Sequence, residues 1–255
     1  MKHFVLCFLV LLFPFLSFSQ KDSTKKIQSI VMFSPSFGYQ FAFGKHADFF
    51  TNNSRAAMNI SYKFPSNITV GVEAAFMFGA EVKDLSLLGD MTNSNGFILG
   101  KNLTVEQPSL EGRGGHINLE FGKIFTLSKK DPNSGIHLKG GLGYMFYSAY
   151  ASTDFLNIPQ LNNNYLNGYD RAMGGLSFSQ FVGYTFFGSG RLLNFSVGVE
   201  NIFAFTSSLR TWDFKENQSI ENLKETKWMV GPKLYFTIPL YIKNKSYFTE
   251  NYFYN

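Results

Sequence analysis

Between residues 33 and 238, large apolar side chains recur at every second position in eight separate stretches, and this period-two pattern restricts the fold more than any other feature. Successive side chains of a strand point to opposite faces. Phe33, Phe37, Tyr39, Phe41 and Phe43 therefore share one face of the first stretch, with Ser34, Ser36, Gly38, Gln40 and Ala42 on the other. The same alternation occupies 56–64, 70–79, 116–122, 137–146, 176–186, 195–200 and 230–238. The second face is mostly Gly, Ser, Ala and Asn with isolated Glu or Lys. A face turned to water favours Lys, Glu and Thr instead.

Composition sharpens the choice. The chain holds 30 Phe and 13 Tyr against 16% charged residues, whereas a soluble surface carries about 25–35% charge. It needs an apolar environment larger than its own core. After Phe18 no apolar run approaches the ~18 residues of a spanning helix. In lipid the backbone must then be satisfied by a closed β-barrel. A β-sandwich or lipocalin-like barrel with its apolar face inward is the soluble alternative. The small residues of the polar face suit the narrow lumen of eight strands better than a solvated exterior. Aromatic residues near the segment ends (Phe43, Tyr62, Phe64, Phe78, Phe125, Phe146, Phe186 and Tyr241) fit interfacial girdles.

The connections point the same way. Pro65-Ser66-Asn67, 128–135 and 188–191 are short and rich in turn formers, while 44–54, 80–112, 151–170 and 210–226 are longer and polar. Long and short connections alternate along the chain. That predicts an all-β fold: an eight-stranded antiparallel up-and-down transmembrane β-barrel with both termini on the short-turn side.

The first residues have the layout of a secretory signal: Lys2, an apolar stretch from Phe4 to Phe18, then small residues before the charged run at 21–26. The expected organisation is a cleaved signal over 1–19, a periplasmic segment over 20–26, the outer-membrane barrel over 27–242 and a C-terminal tail over 243–255. Cleavage removes Cys7, the single cysteine, so neither a disulfide nor a thiolate metal site is expected. The formal charge of +5 is far from the dense basic patch of a nucleic-acid binder. No nucleic-acid partner is expected.

Charged side chains within the alternating stretches fall on the polar face: Glu73, His116, Glu120, His137, Lys139, Glu200 and Lys233, with Lys63. They form a candidate polar network of the lumen, and Glu120 and Lys139, on neighbouring strands, are expected to pair. Buried charges need partners, which favours a structural role over a binding or proton-linked one. A hydrolase would need a nucleophile, a base and an orienting group. His46, beside Asp48 and near Ser54, and His116 do not assemble such a set in the sequence. His116, His137 and Glu120 are a weak metal set, and Gly112-Arg113-Gly114-Gly115 lacks the helix of a phosphate loop. No catalytic residue, metal or cofactor is expected. Apolar residues in the loops at Trp212-Asp213-Phe214-Lys215 and between Leu85 and Leu99 mark either partner contact or self-packing.

The whole arrangement resembles the small OmpA/OmpX-type outer-membrane barrels. The stretches Gly168-Tyr169-Asp170-Arg171-Ala172-Met173-Gly174-Gly175, Gln180-Phe181-Val182-Gly183-Tyr184 and Asn194-Phe195-Ser196-Val197-Gly198-Val199-Glu200 are similar to an uncharacterised barrel group of Bacteroidota, as is the signal end Ser17-Phe18-Ser19-Gln20. Such barrels commonly end on an aromatic residue of the last strand. Here the last strand is expected to finish near Ile242, with the tail beyond it. The resemblance implies a non-enzymatic barrel in the cell outer membrane, in contact with lipid, with a structural or recognition role in its outer loops, chiefly 80–112 and 151–170. An accessory subunit of a secretion or gliding complex, docking envelope proteins, is the first alternative. An outer-membrane lipid hydrolase is the second.

Overall fold

A computed structural model of the chain describes residues 28–83, 87–88, 91–93, 95, 97–100, 104–106, 109–128, 131–152, 169–188, 194–213, 217–220 and 223–242. The expected signal, the segment 20–26, the tail 243–255 and most of the loop 151–170 lie outside the described residues.

The alternating stretches become the strands β1 (Ser29–Phe43), β2 (Asn53–Lys63), β3 (Ile68–Glu81), β4 (Ser109–Thr126), β5 (Gly135–Ser152), β6 (Met173–Phe187), β7 (Asn194–Ser208) and β8 (Lys224–Phe236), the last continued by β9 (Ile238–Ile242). Each pairs antiparallel with its sequence neighbours, and β1 pairs with both β8 and β9. The sheet thus closes into an eight-stranded barrel, as the sequence predicts. Closure leaves no free edge, so every strand has a partner on both sides.

Strands run well past the alternating stretches at the long-loop end. β4 begins at Ser109 rather than near 116, β5 continues to Ser152, and β7 reaches Ser208. Pairing persists there, from Ser109↔Ser152 to Arg113↔Ser148, but the outward face carries Glu111, Arg113 and Ser148. Beyond an apolar surround the outer face need not be apolar, so the periodic signal stops before the ladder does. A bulge in β3 adds a second departure. Gly79, at φ 78°, inserts one extra residue opposite β4, so Met77 and Ala80, three positions apart, both turn inward.

The short connections behave as read. Asn67 closes the β2–β3 turn at φ 61°, a left-handed conformation that Asn tolerates, and its N–H donates to the Phe64 carbonyl at 2.9 Å. The first long connection holds a single helical turn, α1 (Lys45–Phe49). Two further loops carry small hairpins, Ile98–Leu99 with Val105–Glu106 and Trp212–Asp213 with Gln218–Ser219.

The alternation is inside-out. Along β4, Ile117, Leu119 and Phe121 are 62%, 56% and 61% exposed, while His116, Asn118 and Glu120 are 1%, 1% and 5% exposed. The same holds for Phe37, Ile60, Val72, Leu142 and Val199, all outward. Within the girdles Phe43 packs on Trp228 and Tyr62 on Phe64. Tyr241 departs from the expected girdle and turns inward against Ile30, Met32, Ile124 and Phe187.

Large interior rings occupy space that glycines leave. A Cβ on Gly112 would meet the Tyr147 hydroxyl at 2.6 Å and the Phe50 ring at 2.7 Å. Gly112→Val is therefore expected to cost about 1–3 kcal/mol by overpacking. Gly140→Ala, with nothing within 4 Å of its Cβ, serves as the near-neutral control, both read by urea unfolding in lipid vesicles.

The seam between β1 and β8–β9 is interrupted. Rungs join Phe43↔Trp228 to Phe41↔Val230, Gly38↔Lys233 to Ser36↔Tyr235, and Phe33↔Ile238 to Ser29↔Ile242. The intervening positions include Pro35 and Pro232, which have no N–H to give a ladder. Across one gap Ser34 Oγ and Thr237 Oγ1 meet at 3.0 Å.

Candidate functional site

The interior is built by odd positions of β2, β3, β5, β6 and β8 and even positions of β1, β4 and β7, which converge on the barrel axis. At mid-height Arg55 reaches across from β2. Its guanidinium contacts Glu73 at 2.7 Å and Glu200 at 3.1 Å. Lys233 bridges the same two carboxylates at 2.7 Å each, Tyr235 donates to Glu73 at 3.0 Å, and Gln40 donates to Glu200 at 3.3 Å. One level down, Lys139 pairs with Glu120 at 3.0 Å and donates to the Tyr235 hydroxyl at 2.8 Å, while Asn59 donates to Glu120 at 2.9 Å. Among the described residues the network thus sets three cations against three carboxylates. It is internally neutral, and a closed barrel interior can bear it because each charge has a partner.

The three carboxylates lie close enough, within 4.8 Å of one another, to invite a metal ion. Arg55, Lys139 and Lys233 already occupy their oxygens and supply the countercharge. The donor set fits ammonium and guanidinium groups rather than a metal.

The sequence-predicted residues separate into two groups. Glu73, His116, Glu120, Lys139, Glu200 and Lys233 belong to the connected network. His137 stands apart, held between Thr69 at 3.1 Å and Thr185 at 3.0 Å, with Ser196 beyond. The Phe181 ring lies between, edge-on to both His137 and Tyr235, in a gap that Gly183 and Gly198 leave open. Arg55, the hub, falls just outside the second alternating stretch, which begins at Ala56. Its odd number puts it on the face of Asn59 and Lys63, and that parity was the available signal.

One contact resembles hydrolytic machinery. Ser177, on β6, sits 2.8 Å from His116 Nε2, a neighbour the sequence did not reveal. On the other side of the ring, Arg55 Nη2 lies 3.1 Å from Nδ1. A guanidinium only donates, so Nδ1 accepts and the ring proton resides on Nε2, which donates to Ser177. A general base needs the reverse arrangement, with Nε2 free to take the serine proton and a carboxylate on Nδ1. The pair is also fully buried. The geometry is that of a structural hydrogen bond.

Both ends of the lumen are closed by apolar side chains. At the short-turn end Ile30, Met32, Ile124 and Phe187 cluster, and Lys63 is tied to Asn133 at 2.8 Å and to the Gln28 carbonyl at 3.3 Å. At the long-loop end Phe50 after α1 joins Leu87, Leu88 and Ile98 of the β3–β4 loop over Met145, Tyr147, Ile202 and Met229. Much of the apolar content between Leu85 and Leu99 is therefore spent on self-packing. His46 lies in this lid against Phe50 and Tyr147, and its burial, with the nearby Lys227 charge, pushes it down to about 3.

No family model matches the chain, and no curated protein matches it. Solved structures of similar shape exist at low identity. The attachment invasion locus protein Ail of Yersinia pestis, in complex with the heparin analogue sucrose octasulfate, aligns at 13% identity with a TM-score of 0.37, covering 82% of this chain and 98% of that one. A second Ail structure aligns at 12% identity and a TM-score of 0.38, with the same coverage. The outer-membrane protein OprG of Pseudomonas aeruginosa aligns at 12% identity and a TM-score of 0.34, over 85% of this chain and 96% of that one.

Proposed function

We propose that this chain is a non-enzymatic barrel of the bacterial outer membrane that spans the lipid as a rigid, filled cylinder and serves a structural or recognition role through its long loops. The observation that carries the reading is the inside-out alternation of β4, with apolar side chains more than half exposed beside charged and polar ones almost fully buried. Soluble monomers rarely expose a contiguous apolar surface of more than a few hundred Å². A belt around a whole barrel exceeds that, and lipid is the solvent that suits it. Short connections then face the periplasm and long ones the outside. The Lys2–Ser19 signal pattern supports export.

The filled lumen argues against a pore, and the Arg55–His116–Ser177 arrangement argues against hydrolysis. Recognition is supported by the small loop hairpins, where Leu99, Val105 and Trp212 remain 54%, 63% and 44% exposed. These side chains stand apart from the self-packed lid and are free to meet an envelope protein.

Fractionation of cells producing the chain is expected to place it in the outer membrane, and it is expected to migrate faster on a gel before boiling than after. Recovery in the soluble periplasmic fraction would overturn the reading. For the recognition role, proteins captured from detergent-solubilised membranes are compared between the native chain and Trp212→Asp. Equal recovery of the same proteins counts against these hairpins.

A further inference from the structure

The long-loop mouth of the barrel contains a charge that is not balanced among the described residues. Glu225 and Lys227 point inward from β8, and both are buried. Arg171, just before β6, takes one oxygen of Glu225 at 2.5 Å and lays its guanidinium over the Phe49 ring at 3.7 Å. Lys227 is left with the other oxygen, at 3.5 Å. Two cations thus share one carboxylate, a net charge of +1. Beyond that long contact the Lys227 ammonium faces, among the described residues, the rings of Phe50 and Tyr147, at 5.5 Å and 5.7 Å from their centroids.

An unused donor lies beside the same rings. His46 on α1 is 1% exposed, and neither of its ring nitrogens has a hydrogen-bond partner. Its ring is 5.0 Å from that of Tyr147, whose buried hydroxyl has the Asn53 side chain as its partner. With its titration pushed down to about 3 by burial and by Lys227, His46 is neutral in ordinary media and offers one N–H without adding charge. Buried polar groups in native proteins nearly always find partners, and an unbalanced buried cation is costlier still. Water would satisfy the donor but would leave the charge.

We propose that the mouth of the barrel, beneath α1, holds a small monovalent anion of halide size, bound by the Lys227 ammonium with an N–H donor from His46. A single negative charge balances the local excess. Phe50, Ile202 and Met229 surround the site with the buried Asn53 amide, a tight setting that suits a compact, weakly hydrated ion over a phosphate or sulfate.

The test uses the full mature chain refolded in detergent. Its thermal midpoint, read from the loss of the fast-migrating gel form, is measured in sodium chloride, sodium bromide and sodium gluconate at equal ionic strength. Chloride and bromide are expected to raise the midpoint with concentration and gluconate not to. Lys227→Met is expected to abolish the difference between the salts, and Lys45→Met, on the exposed side of α1, to retain it. His46→Phe is expected to weaken the apparent chloride affinity by about tenfold, the loss of one hydrogen bond to a charged group. Independently of any variant, crystals of the native chain grown in bromide are expected to show an anomalous peak within reach of Lys227 Nζ. Equal midpoints in the three salts, a chloride response that survives in Lys227→Met, or a bromide map without that peak would each overturn the proposal.

Discussion

Arg55→Ala is expected to cost about 3–5 kcal/mol of stability, because it strands two buried carboxylates that lose a shared partner. Glu73 and Glu200 both contact the Arg55 guanidinium, at 2.7 Å and 3.1 Å. Lys233 alone would then face both. The measurement is equilibrium urea unfolding in lipid vesicles. The exposed pair Arg113–Glu111, with side chains 40% and 39% exposed, is the comparison, where Arg113→Ala is expected to cost no more than about 1 kcal/mol. The double substitution Arg55→Met with Glu73→Gln is expected to cost less than the two single losses combined, since the partners belong to one network. Equal small losses for Arg55→Ala and Arg113→Ala would show that the buried network carries no special weight.

Leu119→Arg is expected to cost about 2–4 kcal/mol when the chain folds into a bilayer, as for a cation placed on the lipid face near mid-depth. Leu119 points outward between Val72 of β3 and Leu142 of β5, its register partners. Leu99→Arg, at a similarly exposed residue on a loop hairpin, is expected to change stability little. The contrast separates the two environments directly. In a barrel surrounded by water both substitutions would be near neutral, because each side chain is already more than half exposed. In lipid only the loop position is spared.

The fold was legible in the sequence to an unusual degree, for a physical reason. A spanning strand must present apolar groups to lipid and compact polar groups to a narrow lumen, so its two faces differ at every residue and period two is easily read. The signal fades where that demand stops. Residues 109–112 of β4 and 151–152 of β5 lie beyond the apolar stretch, pair as strands all the same, and read as loop. Gly79 hides the inward turn of Ala80 because one inserted residue reverses the parity. Phe181 breaks the rule from inside: a large ring on a face of small residues is intelligible only once Gly183 and Gly198 are seen to make room for it. For the interior network, facing could be read but reach could not. Glu120 and Lys139 are neighbours across one ladder and were paired correctly. Arg55 with Glu200, and His116 with Ser177, meet only because the sheet curls closed, and no local pattern encodes that distance across the axis.

That closure also sets an order of events. The Lys63↔Thr69 rung joins residues 6 apart in the chain, whereas Phe43↔Trp228 joins residues 185 apart. By the logarithmic growth of loop entropy, the second contact costs about 3 kcal/mol more to form from an open chain. The same junction holds Pro35 and Pro232 and has the broken ladder. The rungs that are hardest to reach thus lie on a ladder with two gaps. Assembly consequently proceeds by hairpins joining side by side into a curled ribbon with two raw margins, and the first and last strands zip together only at the end. Reopening follows the same line in reverse, which makes this junction the place where the finished cylinder is easiest to unfasten.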